Sequence, residues 1–440
     1  MKSINLISSR IFNGGLILLL FCCFGCAAQQ GPITLDRNML SQNLAFLNEG
    51  DEELIDAVND IKRQADSVSR VPNLKIVDKK QTPPSGDKRD YLSVAQYWWP
   101  DPSKPDGLPY IPKDGQTNPE FYEIKDNGKM IELARNLNIL GIAYYFTKDE
   151  KYAQKSISQI RTWFLDQETR MNPNFTYAQY IPGVNEGRRE GIIDARSLVD
   201  AVDGITLIRQ SVNWSQSDEL GIQKWFSDFL NWMQTSKNGK GASELVNNIG
   251  TAYYMQLLSF SIFTGNNSVA RQALHTQIPK MIDHQFDEDG KQPEELRRTN
   301  AWNYSIANLN YWFRIARIAE KVNVDLWNYV TPTGKSIRTG YEWMIPYADG
   351  KEWPYQQIQK TNFGRQFLSL RIRGDRKYYN RSNFLEQRRS ISGDRNRANS
   401  GAASRDNNSS VGRSANEGRV INARTDVVRP SAITILTEGY

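Results

Sequence analysis

The chain has 440 residues, of which 39% are hydrophobic and 11% aromatic, so it can form one large domain or two smaller ones with a substantial core. Its net charge of +6 comes from the last part of the sequence: residues 371–440 contain thirteen Arg and one Lys against seven acidic residues, which leaves the rest of the chain slightly acidic. Because no zinc-finger, RNA-binding or helix-turn-helix motif accompanies this basic tail, we expect no nucleic-acid partner.

Cysteine and histidine are too few for the usual metal and disulfide chemistry. The three cysteines, Cys22, Cys23 and Cys26, all lie near the N-terminus, so the body can hold neither a disulfide framework nor a thiolate metal site. The two histidines, His275 and His284, do not suffice for an ordinary zinc site. We therefore predict a protein that works without a metal or cofactor.

The N-terminus has the features of an export signal. Lys2 and Arg10 precede an apolar run over residues 15–24, which is too short to span a bilayer but has the length of a signal-peptide core. The following Gly25-Cys26-Ala27 resembles a bacterial lipoprotein processing site, which would make Cys26 the lipidated first residue. An ordinary secretory signal cleaved nearby is the alternative. We predict a signal peptide over residues 1–26 and a periplasmic protein anchored by lipid to the outer or inner membrane.

Helical periodicity dominates the body of the chain. Apolar residues recur at helical spacing over 36–71, and further helices are predicted over 129–147, 151–166, 191–210, 216–234, 242–263, 269–286, 301–322 and 336–347. Short turns join most of them, and no alternating run long enough for a sheet precedes residue 400. The pattern therefore predicts an all-α domain over residues 33–370, built from antiparallel helical hairpins in an incomplete α/α toroid. A superhelical repeat array is the alternative, although no fixed period is present.

A long loop rich in proline and aromatic residues interrupts this pattern at residues 91–122. Its six prolines break every regular period, and it holds the rings of Tyr97, Trp98 and Trp99. Since such rings are costly to leave in water, the loop either packs over the core or forms one wall of a cleft where the rings stack on a sugar.

A second long loop spans residues 170–194. Tyr177 and Tyr180 offer stacking faces there, while Gln179 and Arg188 offer hydrogen-bond donors. A solvated connector is the alternative interpretation, but the length and composition of the loop favour contact with a ligand.

The C-terminal residues 371–440 change in composition. They are rich in Arg, Asn, Ser and Gly, with few apolar residues before 432–436, so we predict a polar, low-complexity and largely disordered tail. A linker with a closing strand, a drifted sequence and a sequence read out of frame all remain open. No function is assigned to this tail.

Two stretches, residues 243–256 and 292–308, place Asn248, Arg298 and Tyr304 on two helical segments. Removing a proton from the carbon next to a carboxylate requires neutralisation of that carboxylate, a base for the proton and an acid for the leaving oxygen. Asn and Arg side chains are suited to the neutralisation. A tyrosine is suited to the proton transfers when a nearby cation lowers its pKa.

The neighbouring Asn247 and Asn303 are predicted to contact the substrate. Each of these assignments has a structural alternative: the asparagines could cap or link helices, and Arg298 could pair with Glu294 or Glu295. Tyr304 taken alone would more often belong to a core. The joint occurrence of these residues favours the site.

Four separated motifs carry a resemblance to a known family. They are NNIGT at 247–251, ELRRT at 295–299 followed by Tyr304-Ser305, YWWPDPSKPDGLPY at 97–110, and MNPNFTYAQYIPGVNEGR at 171–188. Together they resemble the alginate lyase family of polysaccharide lyases, bacterial α/α-toroid enzymes that cleave alginate or related polyuronates by β-elimination. The resemblance covers roughly residues 91–371. It implies that Asn248 binds the substrate carboxylate, that Arg298 is the catalytic arginine and that Tyr304 is the acid and base.

One position departs from the family pattern. The family has His directly after the asparagine, and this chain has Ile249. If Tyr304 serves as both base and acid, as in syn elimination on mannuronate-type residues, the lyase remains active at a reduced rate. If the histidine is indispensable, the protein is a catalytically impaired carbohydrate-binding lipoprotein of the same fold.

A glycoside hydrolase on a similar toroid is a third possibility. Such an enzyme would need two opposed carboxylates in its groove. Glu186, Glu190 and Asp194 are the available candidates.

Overall fold

The structure, a computed structural model, describes residues 31–379 and 431–438. The predicted signal peptide, Cys26 and most of the predicted tail lie outside these ranges. The described helices are α1 (Arg37–Asn48), α2 (Glu52–Arg70), α3 (Asp126–Thr147), α4 (Glu150–Ile160), α5 (Leu198–Ile208), α6 (Gln216–Thr235), α7 (Lys237–Ser243), α8 (Asn248–Phe263), α9 (Asn267–Thr276), α10 (Ile278–Gln285), α11 (Pro293–Leu296), α12 (Ala301–Glu320), α13 (Ile337–Ala348), α14 (Phe363–Tyr379) and α15 (Ala432–Glu438).

Strands are few and short in the described part of the chain. They are β1 (Leu92–Val94), β2 (Trp98–Trp99), β3 (Ile111–Pro112) and β4 (Tyr177–Tyr180). β1 pairs in parallel with β4, and β2 pairs in antiparallel with β3. Both small sheets lie in the two aromatic loops, so these loops are ordered and joined to each other.

Local sequence signals fix where several helices begin. Asp51 accepts a hydrogen bond from the backbone N–H of Leu54 at the start of α2. Ser215 and Asp218 form a reciprocal capping box at the start of α6. Such caps satisfy N–H groups that have no partner within the helix.

Four helices form an inner layer around the core. α3 packs against α5, α5 against α8, and α8 against α12. In α8 every residue from Gly250 to Phe263 is buried, which is the pattern of a helix enclosed on all sides.

Outer helices cover this inner layer. α2 and α4 pack on α3, α6 and α9 pack on α8, and α13 and α14 pack on α12. Unlike the inner helices, α2 buries a single apolar face. Paired inner and outer helices of this kind make the all-α toroid that the sequence predicts, and the prediction is confirmed.

Three predicted helices differ in detail from the structure. The predicted helix 242–263 is interrupted between Ser243 and Asn248, because Asn247 starts a new helix as its N-cap. The predicted helix 269–286 is divided at Gln277, where Pro279 follows in the first turn of α10. The predicted helix 191–210 begins with a 3₁₀ segment, Arg189–Ser197, before α5. The first of these interruptions exposes a helix N-terminus inside the toroid.

The C-terminal part contains more helix than the sequence predicts. α14 continues through residue 371 to Tyr379, and residues 432–438 form α15 where a closing strand was one of the options. α15 packs against α1, α2 and α14, and its Leu436 is fully buried. The interval 380–430, for which disorder is predicted, lies outside the described residues.

None of the helices in the described ranges combines the length and the apolar character that crossing a bilayer would require.

Candidate active site

One face of α12 forms a wall of a cavity of about 240 Å³. Asn303, Tyr304, Ala307 and Tyr311 share this face because their spacing follows the helical repeat. The other lining residues come from the two aromatic loops, the 3₁₀ segment, α3, α8, the residue before α12 and the chain after α13: Gln96, Tyr97, Phe121, Asn127, Gln179, Ile193, Asp194, Arg196, Asn248, Asn300 and Gln359. Predicted site residues from four separate parts of the sequence therefore meet here.

Tyr304 projects its phenol toward the first aromatic loop. Its hydroxyl donates a hydrogen bond to the hydroxyl of Tyr97 over 3.0 Å. Its ring lies on the guanidinium of Arg298, with 3.8 Å between the guanidinium carbon and the ring centre. Burial raises the pKa of Tyr304 well above its usual value, and the positive charge of Arg298 offsets this only in part. The lowered pKa expected from the sequence is thus wrong for the free protein, in which the phenol is protonated.

Arg298 lies beneath the Tyr304 ring and is not one of the residues that line the cavity. Its guanidinium donates to both carboxylate oxygens of Asp114, over 2.5 Å and 3.2 Å. The hydroxyl and backbone N–H of Thr299 donate to the same carboxylate. Burial acts to raise the pKa of Asp114, but the bonds from Arg298 and Thr299 hold it below the usual value. Arg298 therefore forms an ion pair with the first aromatic loop, rather than with Glu294 or Glu295.

Asn248 is buried at the N-terminus of α8, with its side chain on the cavity wall. Its backbone N–H and its side-chain amide each donate a hydrogen bond of 2.7 Å to Glu295, one to each carboxylate oxygen. Glu295 is 1% exposed, and burial raises its pKa to about 7 against the opposing effect of the two bonds. This carboxylate fixes the orientation of the Asn248 amide.

Asn247 serves as a helix cap. Its side chain accepts the N–H of Ile249, and its carbonyl accepts the backbone N–H of Thr251 and the side-chain amide of Gln285. It does not line the cavity, so the structure gives it the capping role that the sequence left as an alternative. Ile249 is partly buried against the core and does not line the cavity either.

The first aromatic loop contributes Tyr97 to the cavity but not its two tryptophans. Trp98 and Trp99 form β2, and the indole N–H of Trp99 donates to the carbonyl of Gln116 over 2.9 Å. Lys113 lies over the Trp99 ring. Both indoles are partly buried, and neither lines the cavity.

The second loop contributes Gln179. Its side-chain amide donates to Asp194 over 2.9 Å, and its side-chain oxygen accepts from Arg188 over 2.8 Å. Arg188 therefore contacts Gln179 but does not itself line the cavity. Tyr177 and Tyr180 pack against a small apolar cluster under this loop.

Asn303 lies on the cavity wall as predicted. Its side-chain N–H donates to Gln359 over 3.0 Å, and its side-chain oxygen accepts from Gln357. These hydrogen bonds attach the segment after α13 to the N-terminal end of α12.

Of the three carboxylates considered for a glycoside hydrolase, only Asp194 lines the cavity. It accepts hydrogen bonds from Tyr91, Ser93 and Gln179. Glu190 lies outside and pairs with arginines of its own segment. The opposed pair that hydrolysis needs is absent from these candidates.

Sequence reasoning missed several lining residues, above all Arg196, Tyr311, Asn127 and Asn300. Tyr311 could have been found, because it follows Tyr304 by seven residues and so shares its helical face. A single arginine in a 3₁₀ segment leaves no comparable pattern. His275 and His284 are exposed and lie away from the cavity. Within residues 31–379 and 431–438 no cluster of three or more His, Cys, Asp or Glu side chains is placed to hold a metal ion.

The comparisons with known proteins concern the family and the fold. The family model described as alginate lyase matches residues 75–353. An alginate lyase from Bacteroides ovatus is 38% identical, with a TM-score of 0.75 over 78% of this chain and 91% of that chain. No curated protein matches the chain.

More distant structures share the fold. Alginate lyase A1-III from Sphingomonas species A1 is 15% identical, with a TM-score of 0.51 over 79% of this chain and 90% of that chain. A histidine-to-alanine variant of alginate lyase A1-III in complex with a tetrasaccharide is 16% identical, with a TM-score of 0.53 over 79% of this chain and 89% of that chain. Taken with the family model and the Bacteroides structure, which span most of the toroid, these findings show that the chain belongs to the alginate lyase family of polysaccharide lyases.

Proposed function

We propose that the cavity beside α12 cleaves alginate or a related polyuronate by β-elimination. The observation that carries this proposal is the convergence of the Tyr304 phenol and the Asn248 amide on one cavity. The two side chains come from different helices, and each is held by dedicated partners. Tyr304 lies between Tyr97 and Arg298, and Asn248 is held by Glu295.

Asn248 is suited to the substrate carboxylate. One hydrogen of its side-chain amide is engaged by Glu295, and the second is available to a ligand in the cavity. A donor at this point stabilises the negative charge that gathers on the carboxylate as the neighbouring C5 proton leaves.

Tyr304 is suited to both proton transfers. Its phenolate takes the C5 proton, the electrons of that C–H bond form the C4=C5 double bond, and the C4–O bond breaks. The same phenol then returns the proton to the leaving oxygen. Arg298 stabilises the phenolate from beneath the ring, a role that differs from the direct carboxylate contact expected from the sequence.

A single acid and base favours one stereochemistry. One phenol can take the C5 proton and serve the C4 oxygen only if both lie on the same face of the sugar, as in mannuronate and glucuronate. No imidazole lines the cavity among the described residues to act from the opposite face. We therefore favour polymannuronate or a glucuronan over polyguluronate as the substrate.

The decisive experiment compares the wild-type protein with Tyr304→Phe. Ultraviolet absorbance reports the unsaturated uronate end formed from polymannuronate, polyguluronate and glucuronan. Loss of the hydroxyl should reduce turnover by roughly 10²- to 10⁴-fold, the usual contribution of a general acid and base. The exposed Tyr122 supplies the control variant Tyr122→Phe, which should retain full activity. Binding of these polymers without any unsaturated product would instead identify a carbohydrate-binding protein.

We also propose that the protein is exported and anchored to a membrane by lipid on Cys26. This rests on the sequence of residues 1–27 alone, with its basic start, its apolar run and a cysteine after glycine. Mass spectrometry of the mature protein in a bacterial host should find a lipid on Cys26, and Cys26→Ser should release the protein from the membrane fraction. Cys23→Ser is the control, and an unlipidated mature terminus elsewhere would contradict the proposal.

A further inference from the structure

Arg196 brings a positive charge to the cavity without an acidic partner among the described residues. It lines the cavity with Asn248 and Tyr304, and its Nη1 donates one hydrogen bond of 2.9 Å to the carbonyl of Ile193. None of the ion pairs found in the described ranges includes it. Most of the donors on this guanidinium are therefore available to a ligand.

The neighbouring arginines are engaged differently. Arg298 gives two hydrogen bonds to Asp114, so its charge is already balanced by a carboxylate. Arg188 contacts Gln179 and Glu190 behind the wall. Arg189 is half exposed and pairs with Glu190. Arg196 thus differs from all three in facing the cavity with its charge unbalanced.

Tyr311 lines the same cavity as Arg196. Burial raises the pKa of the Tyr311 phenol, and the positive charge of Arg196 acts in the opposite direction. The phenol stays protonated and is a hydrogen-bond donor. Tyr311 follows Tyr304 by seven residues on the same face of α12, about 10 Å along the helix axis. Tyr304, Arg196 and Tyr311 therefore all face the space in which the sugar would lie.

Arg196 can supply the positive charge beside the substrate carboxylate that Ile249 does not supply. The isoleucine neither reaches the cavity nor carries a charge, and Asn248 supplies only a neutral donor. Loss of the C5 proton makes the carboxylate more negative, so a cation is required beside it. A guanidinium can contact both carboxylate oxygens at once.

We propose that Arg196, together with the Tyr311 hydroxyl of the same cavity, binds the carboxylate of the reacting uronate and provides the positive charge that Ile249 cannot. This inference rests on the proposed function and adds to it the cation of the reaction. Arg196 makes no covalent bond and exchanges no proton. It lowers the energy of the transition state by holding the charge that accumulates on the carboxylate.

The test compares Arg196→Gln, Arg196→Lys and Tyr311→Phe on a mannuronate oligosaccharide. Arg196→Gln should lower kcat by about 100-fold or more, the size expected when one preorganised charge-stabilising donor is lost. Arg196→Lys should recover part of this loss, because it restores the charge but not the bidentate contact with the carboxylate. Tyr311→Phe, which keeps the ring, should lower kcat about 10-fold, as loss of one hydrogen bond predicts.

Arg189→Gln is the matched control. It removes an arginine from the same 3₁₀ segment, but one that does not line the cavity, and it should leave kcat and KM unchanged. Thermal unfolding of each variant separates a loss of charge from a loss of folding. A rise in KM with unchanged kcat in Arg196→Gln would overturn the proposal, because the arginine would then serve a neighbouring sugar.

A binding measurement keeps this proposal separate from the proposed function. Calorimetry with a saturated uronate oligosaccharide should show at least tenfold weaker binding to Arg196→Gln than to the wild type. The same oligosaccharide with its carboxyl groups reduced to alcohols should bind both proteins equally. If the wild type forms no unsaturated product yet shows this difference, the lyase proposal fails while the carboxylate contact stands. Equal binding of the acidic oligosaccharide to both proteins would overturn the role of Arg196.

Discussion

At the scale of single residues, the hydrogen bonds of Glu295 make the orientation of the Asn248 amide depend on pH. Only the ionised carboxylate can accept from both the backbone N–H and the side-chain amide of Asn248, because a proton on one oxygen removes an acceptor. Burial raises the pKa of Glu295 to about 7, so the change falls near neutral pH. Asn248 is therefore held in its substrate-binding orientation mainly above neutral pH.

We expect kcat/KM of the wild type to rise as the pH increases through about 7. Glu295→Gln should remove this step and lower the plateau, since an amide offers only one acceptor. A separate rise at alkaline pH should remain in the variant, because it reflects the raised pKa of Tyr304. The neighbouring Glu294, which pairs with Arg297 at the surface, provides the control Glu294→Gln. A wild-type profile that is flat between pH 6 and pH 8 would contradict this account.

The same group makes a prediction about stability. The pKa of Glu295 is higher in the folded protein than its ordinary value of 4.5, so the fold favours the protonated form. Its contribution is fully present below about pH 4.5 and is lost as the pH rises through about 7. A shift of this size corresponds to a cost on the order of 3 kcal/mol for the ionised state. Denaturant titrations of the wild type and Glu295→Gln across this range should differ by a pH-dependent amount of that order.

Ile249→His tests whether the family histidine can be restored. Ile249 packs partly buried against the core and does not reach the cavity, so an imidazole placed there should increase turnover on polymannuronate less than tenfold. We expect no gain of activity on polyguluronate for the same reason. Product absorbance with the two polymers is the measurement. A larger gain on either would show that the imidazole enters the cavity and that the wild type is a weakened enzyme.

The sequence predicts two of the cavity residues better than it predicts their partners. Asn248 and Tyr304 were predictable because they fall in local motifs, and each lines the cavity. The ion pair of Arg298 with Asp114 was not predictable, because 184 residues separate the two side chains. Arg196 belongs to no motif. Its role follows only from what surrounds it in space.

At the scale of helices, α3 and α5 approach each other unusually closely. A methyl group on Gly141 would lie 2.6 Å from the carbonyl oxygen of Gly204, and one on Gly204 would lie 2.4 Å from the carbonyl oxygen of Leu137. Two backbones can come this close only where both helices carry glycine. This contact joins two members of the inner layer.

Gly204→Ala should therefore destabilise the fold by about 1–3 kcal/mol, the usual cost of overpacking a core. Gly128→Ala is the matched control, because it lies in α3 and an added methyl group there meets no atom within 4 Å. That variant should be as stable as the wild type or more stable by up to about 1 kcal/mol, since Ala favours a helix over Gly. Urea denaturation of both variants is the measurement. Equal stability of Gly204→Ala and Gly128→Ala would show that the helices can move apart without cost.

The presence of the helices was predictable from the spacing of apolar residues, but the positions at which helices are interrupted were not. Residues 242–263 are predicted as one helix although Ser243, Glu244, Asn247 and Asn248 interrupt their apolar pattern, and the cap formed by Asn247 separates α7 from α8. That interruption places Asn248 at a helix start on the cavity wall. A single capping asparagine is a weaker sequence signal for a new helix start than a long apolar pattern is for a continuous helix.

At the scale of the whole described molecule, the first and last described helices are joined by contacts between residues far apart in sequence. Asn43 of α1 donates its side-chain amide to the carbonyls of Ile435 and Leu436 in α15. Glu438 of α15 pairs with Arg373 and Arg376 of α14. The basic residues of α14 thus serve an internal contact, whereas composition assigned them to a low-complexity tail. Composition cannot distinguish arginines that make an internal contact from arginines of a low-complexity tail. The acidic partner of the α14 arginines lies about sixty residues further along the chain.

Leu436→Ala tests whether α15 is an integral part of the fold. Leu436 is fully buried, and α15 contacts α1, α2 and α14, so removing its side chain should destabilise the protein by about 2–5 kcal/mol through a lost apolar contact and a residual cavity. Leu220→Ala makes the same chemical change at a side chain in α6 that is 59% exposed, and should cost less than about 1 kcal/mol. Urea denaturation of both variants measures the difference. If Leu436→Ala proved as stable as Leu220→Ala, α15 would be a dispensable attachment and the toroid would be complete without it. If it lost several kcal/mol, the chain after residue 430 would be needed for the stability of the domain that holds the active site.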